Sequence, residues 1–174
     1  MLSPSKQMDF FMANPDRKIT ANFWLSELTH SNTAVRLGIN NTPTEQHEKN
    51  LVEACKNLWQ PMRELLKKPV SISSGYRSLA VNNAVGGSKT SAHSVGFAID
   101  FTAPSFGHPR FIAEYLAKEL QKNGIKFDQI ILEFPESPSC WVHIGYKSRD
   151  GRQREQVLTA VKRANKTVYL EGIR

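Results

Sequence analysis

Residues Ser71–Asp100, SISSGYRSLAVNNAVGGSKTSAHSVGFAID, decide how this chain is built. Val70-Ser71-Ile72-Ser73 alternates apolar and polar side chains as a strand does, Ser74-Gly75-Tyr76-Arg77-Ser78 turns out of it, and Leu79–Val85 has the make-up of a short helix. Gly86-Gly87-Ser88-Lys89-Thr90-Ser91 is a flexible loop that delivers the chain to His93. Phe97–Thr102 reads as a second strand, with Ala98 and Asp100 on one face and Phe97, Ile99 and Phe101 on the other. A carboxylate on a face suited to a core needs a partner, because an unpaired buried charge is costly, and a cation removes that cost. His93 lies seven positions before Asp100, across Gly96, and His143 follows in the apolar run Cys140-Trp141-Val142-His143-Ile144. Two imidazoles and one carboxylate form a ligand set that suits zinc and leaves a fourth position for water.

Upstream, residues 1–22 are weakly patterned, an N-terminal extension of loop around one short helix, and Phe23–Leu28 is an apolar anchor. Ser26 or Ser31 is placed to cap the short helical turns that follow. Thr44 is the natural N-cap of a long amphipathic helix to about Lys67, with Leu51, Cys55, Leu58, Met62 and Leu65 along one stripe. Pro61 predicts a kink or a division into two helices. Downstream, Pro109–Asn123 is a second amphipathic helix stopped by Gly124, and Phe127–Phe134 and Trp141–Tyr146 are strands joined by the loop Pro135–Ser139. Gln153–Arg163 reads as a basic helix, followed by a short tail to Arg174. Helices alternate with strands, and two strands share a short loop. The expected fold is therefore α+β, a small antiparallel sheet carrying the zinc site and flanked by helices. Residues 23–148 form the main domain, and 149–174 a basic helix and tail packed on it.

The 174 residues suit one domain with a core large enough to need no disulfides. Cys55 and Cys140, in a helical pattern and a strand-like run, read as reduced thiols. The N-terminus lacks an apolar signal-peptide core, and no apolar run approaches the about 18 residues of a membrane span. The expectation is a protein made in the cytoplasm that needs another agent to act outside it. The formal net charge of +7 favours polyanionic surroundings without choosing among them.

A zinc-bound water ionises near neutral pH and needs a base that takes its proton and passes it to a leaving amine. Glu133 ends the strand beside the one bearing His143, and Glu136 in the connecting loop is the alternative. Arg77 has the planar fork that clamps a carboxylate or a developing oxyanion, or else serves a structural salt bridge. His30, His47 and His108 read as surface residues.

Ser91-Ala92-His93-Ser94-Val95-Gly96-Phe97-Ala98-Ile99-Asp100 resembles the SxHxxGxAxD signature of the D-alanyl-D-alanine zinc peptidases, a family of bacterial carboxypeptidases and phage endolysins with the hedgehog-type fold. Ser73–Ser78 is similar to the family's SGYRS element, and Trp141-Val142-His143 to its terminal WxH-type motif. The resemblance implies one zinc held by His93, Asp100 and His143, substrate contacts from Tyr76, Arg77 and Ser91, and hydrolysis of peptide bonds in peptidoglycan stems. Many members carry the catalytic acid three residues before the last histidine, where this chain has Cys140. A subset with a Glu ending the preceding strand supports Glu133. The family's usual setting implies action on the bacterial wall after holin-type release or from a virion, with the basic C-terminal segment meeting the anionic envelope. Nucleic acid is not an expected partner.

Two other functions fit parts of the chain. A Cys140–His143 thiol–imidazole pair is disfavoured, because a spacing of three on a strand points the two side chains to opposite faces. A non-catalytic zinc-stabilised binding or virion-structural module would keep the ligands but has no use for Arg77 and a base.

Overall fold

A computed structural model of the chain describes residues 16–174. The expected short helix before residue 16 lies outside the described residues. Asp16–Asn22 runs as loop, with a single antiparallel bridge between Lys18 and Trp24.

The helical layer begins with α1 (Leu25–Thr29) and α2 (Asn32–Leu37), the latter capped by the Ser31 hydroxyl, which accepts from the Ala34 N–H. Thr44 caps α3 (Glu45–Ala54) through its contact with the His47 N–H. α3 continues through a π-helical turn (Cys55–Trp59) into α4 (Gln60–Leu66). Pro61 has no N–H to return to the preceding turn, and the wider π register absorbs that missing bond. The expected break is thus a bulge inside one rod, whose stripe of Leu51, Cys55, Leu58, Trp59 and Met62 is fully buried. α5 (Leu79–Ala84) follows β1, and α6 (Pro109–Lys122) buries Ile112, Ala113, Leu116 and Leu120.

Six strands form one sheet in the order β1-β2-β4-β3-β5-β6. They are β1 (Ser71–Ser74), β2 (Ala98–Thr102), β3 (Gln129–Glu133), β4 (Trp141–Gly145), β5 (Gln156–Arg163) and β6 (Lys166–Glu171). One face carries Ile99, Phe101, Ile130, Leu132, Val142 and Ile144 into the helices. The strand period of two sends Ala98, Asp100, Ile131, Glu133, Trp141 and His143 to the other face. The helices therefore build the core, and the opposite face is left for chemistry.

The structure corrects two expectations. The sheet is mixed, because β5 runs parallel to β3. The segment expected as a basic helix, Gln153–Arg163, instead supplies β5, which pairs with β6 in a hairpin. Val157, Thr159 and Val161 alternate with Leu158, Ala160 and Lys162, a β-branched pattern that an open sheet edge can pair. Ala164 and Asn165 close the hairpin with φ of 46° and 61°, the two left-handed residues of a primed turn. The crossover that brings β5 beside β3 is pinned by Arg154, whose Nε and terminal nitrogen each reach the buried Asp128 carboxylate at 2.7 Å.

Gly96 shows how tightly the helical layer holds the site. It has φ +81°, and a Cβ there would lie 2.6 Å from the His47 carbonyl oxygen on α3. Gly96→Ala should lose about 2–3 kcal/mol of stability in a denaturant titration, from left-handed strain plus a backbone contact that cannot swing away. A loss under about 0.5 kcal/mol would show that α3 does not press on this turn.

Candidate active site

The first ligand-bearing segment is clamped on both sides. Tyr76 donates its N–H to the Leu28 carbonyl at 2.7 Å, and Arg77 donates its N–H to the His93 carbonyl at 3.1 Å. Asn82, almost wholly buried, holds the Gly86–Ser88 loop by donating to the Ser88 carbonyl, and the chain then enters a 3-10 turn (Ala92–Val95) that carries His93. The other two groups come from neighbouring strands, where Asp100 on β2 stands directly opposite His143 on β4.

His93 Nε2 lies 3.2 Å from Asp100 Oδ1 and 3.2 Å from His143 Nδ1, and His143 Nδ1 lies 2.9 Å from Asp100 Oδ1. All three residues are buried. Tetrahedral zinc with bonds of about 2.0–2.1 Å sets its ligands roughly 3.3 Å apart, close to this triangle. The protonation pattern points the same way. His93 Nδ1 faces the Gly75 carbonyl at 2.8 Å, and a carbonyl only accepts, so Nδ1 carries the proton and Nε2 of the neutral ring presents a lone pair. Burial pushes the His93 imidazole below its ordinary value, Arg77 and His143 push the same way, and Asp100 pulls against them. Burial alone would raise the Asp100 carboxyl, but with no cation between them the facing His93 and His143, in their protonated forms, outweigh it and hold it well below the usual carboxylate range. Lone pairs of His93 Nε2 and Asp100 Oδ1 aimed at each other repel unless a cation lies between them, and the donor set fits zinc.

Arg77 donates to Asp100 Oδ2 at 3.1 Å, which leaves Oδ1 for the shared point. Its Nε is buried and has no partner, while the side chain as a whole keeps 15 % of its surface exposed. Both alternatives drawn from the sequence, ion pair and oxyanion clamp, are thus open to the one side chain.

Glu133 stands on the same face, opposite Trp141 and one same-face step along β3 from Ile131, the neighbour of His143. A diagonal pair of this kind is about 7–8 Å apart, within reach of a long side chain through one water. Burial pushes the Glu133 carboxyl up to about 7, with Asp100 adding to the rise and His143, Arg77 and Lys162 opposing it. Glu136 goes elsewhere: its exposed carboxylate accepts from the Lys162 backbone N–H at 3.3 Å and ties the loop to β5.

Tyr76 and His47 sit in surroundings that the sequence did not announce. Tyr76 is only 4 % exposed and packs in the core, its hydroxyl 3.1 Å from His47 Nδ1. It spaces α3 from the Gly75–Arg77 segment, and His47 is half-buried rather than a free surface residue. Ser91 sits half-exposed at the start of the 3-10 turn and makes no hydrogen bond to the cluster. Cys140 lies 3.4 Å from His108 Nε2 and is not paired with His143. Tyr169 and Lys162 share the site's face and were not singled out in the sequence. Alternation along β5 and β6 was their only signal, and the helix expectation hid it.

A buried His–Asp–His group able to hold a metal ion, with a carboxyl on the same sheet face, is an arrangement suited to metal-dependent hydrolysis. The sequence model of the Peptidase M15 family matches residues 21–130, well over half the chain, and the protein belongs to that family. The match takes in Arg77, His93 and Asp100, while Glu133 and His143 lie beyond its end. No curated protein matches the chain. Among the described residues, no helix is long and apolar enough to cross a membrane.

Proposed function

We propose that this protein is a zinc-dependent peptidase that hydrolyses peptide bonds in peptidoglycan stem peptides. The observation that carries the reading is the convergence of His93 Nε2, Asp100 Oδ1 and His143 Nδ1 one same-face step from the Glu133 carboxyl. Zinc held by those three residues supplies Lewis acidity that brings the pKa of a water to about 7. Glu133, poised near the same pH, takes the proton from the attacking water and hands it to the departing nitrogen. The terminal guanidinium donors of Arg77 not engaged by Asp100 would serve the oxygen that gains charge as the carbonyl is attacked. Gly75 fixes the His93 tautomer, and Arg77 orients Asp100 through Oδ2. A module that used zinc only for stability would gain nothing from a buried carboxyl at Glu133 with a raised pKa, which favours catalysis.

The substrate class follows from the resemblance of the Ser91–Asp100 segment and its companion motifs. By the same reasoning the protein acts on the bacterial wall, reached by release from the cell or from a virion. The exposed Arg163 and Lys166 at the hairpin tip are the groups for an anionic envelope surface.

Mass spectrometry of purified peptidoglycan after digestion tests the proposal. Zinc-loaded protein should release stem-peptide fragments with new termini at a single bond type, and a chelator should abolish the release. Intact peptidoglycan after prolonged digestion, or equal cleavage in chelator, would overturn it.

A further inference from the structure

We propose that the C-terminal hairpin β5–β6 forms the subsite for the leaving-amine side of the substrate, with Tyr169 as its contact surface and Lys162 as counter-charge to a carboxylate there. The proposal rests on the peptidase reading above. It places a further part of the substrate on residues that lie outside the family match.

Sheet register supplies the geometry. Glu133 on β3 is opposite Ala160 on β5, and Ala160 is opposite Tyr169 on β6, so the three share one row on the site's face. Ala160 between them presents only a methyl group and is fully covered by its neighbours, so the exposed surface of the row is the Tyr169 ring. Tyr169 is 55 % exposed, a large aromatic on a face otherwise occupied by the site. Its hydroxyl is pushed up by partial burial and by the negative fields of Glu133 and Asp100, as expected for a phenol that leans toward the site.

Lys162 lies one same-face step beyond Ala160. Its ammonium stands 5.2 Å from the centre of the Phe134 ring and donates to Thr167 Oγ1 at 2.9 Å. It has no carboxylate ion-pair partner among the described residues. Phe134 is itself held with φ +54°, an uncommon conformation for a bulky residue, and its ring meets Trp141 edge-on at 5.5 Å. Phe134 and Trp141 thus form a wall beside Glu133, and Lys162 tops it.

The chemistry gives the direction. One carboxyl takes the proton from water and passes it to the departing nitrogen, so that nitrogen must come within hydrogen-bond reach of Glu133. The metal cluster lies on β2 and β4 and Arg77 beyond it, so the acyl half lies on that side. The leaving half then continues past Glu133 over β5 and β6, where an aromatic surface and an unpaired cation suit an amino acid or short peptide bearing a free carboxylate.

The test uses the full chain loaded with zinc and one stem peptide, synthesised with the leaving residue ending in either a free carboxylate or a carboxamide. Wild type should prefer the carboxylate about tenfold in kcat/KM, which corresponds to about 1.4 kcal/mol. Lys162→Gln should erase the preference through KM while leaving kcat within about twofold. Tyr169→Ala should raise KM for both peptides about tenfold, and Tyr169→Phe should retain most of the binding. Zinc content should stay at one per chain in each. A second readout does not depend on turnover: the uncleaved carboxylate peptide titrated into zinc-loaded Glu133→Gln should shift the amide resonances of Lys162 and Tyr169. Hydrolysis without those shifts, or variants with wild-type KM and preference, overturns the subsite. Shifts without hydrolysis by wild type uphold the subsite and overturn the reaction. Absence of both overturns both.

Discussion

Glu133→Gln should still bind one zinc per chain and hydrolyse its substrate about 10³-fold more slowly, with the loss in kcat, because general acid–base groups contribute in this range. Zinc by elemental analysis and single-turnover rates check it. In wild type the acid limb of the rate profile should have its midpoint at or below about 7, because burial raises the carboxyl and a bound cation would draw it down. The same substitution should stabilise the chelated protein. A carboxyl with its pKa raised from 4.5 to about 7 holds its proton more tightly when folded, so ionisation works against the fold. The gain from Gln should be absent below pH 4.5, grow as pH rises toward about 7, and reach about 1–3 kcal/mol above that. Normal turnover in Glu133→Gln would move the base elsewhere, and a stability gain already present at pH 4 would show that charge is not its origin.

Asp100→Asn has the second large effect, on metal and fold together. It removes the one anionic donor of the cluster and leaves the Arg77 guanidinium, only 15 % exposed, without its partner. Zinc affinity should fall by more than about 100-fold, beyond what loss of an outer partner costs. The chelated protein should lose about 3 kcal/mol, the scale for breaking one side of a buried pair. The sign with pH is opposite to that of Glu133. The Asp100 carboxyl is held below its ordinary 3.8, so its contribution is complete above that pH and fades as pH falls further. The gap between wild type and Asp100→Asn in chelator should therefore be constant near neutrality and begin to close below pH 3.8. Full zinc occupancy in Asp100→Asn at equimolar metal would remove Asp100 from the ligand set.

Local chemistry made much of this architecture readable along the chain. Thr44 and Ser31 cap helices because their hydroxyls meet free N–H groups three residues on, a relation confined to one turn. Ile99 and Phe101 face the core while Asp100 faces away because a strand alternates, and that alternation put a carboxylate where a cation was needed. His93 and Asp100 are near neighbours in sequence, and His143 stood out as a lone imidazole in an apolar strand.

Other features depend on partners distant in sequence, and only the tertiary structure decided them. Tyr76 belongs to the core because Leu28 and His47 close around it, and nothing within the turn announces either contact. Gln153–Arg163 is basic enough for a surface helix, yet the free edge of β3 offers it hydrogen bonds that an isolated segment lacks, and Ala164-Asn165 adopts the left-handed turn that returns β6. Glu133 and Glu136 are three residues apart with the same side chain. Sheet register turns one toward the metal cluster and the neighbouring hairpin draws off the other, because the environment assembled around a carboxylate determines what it can do.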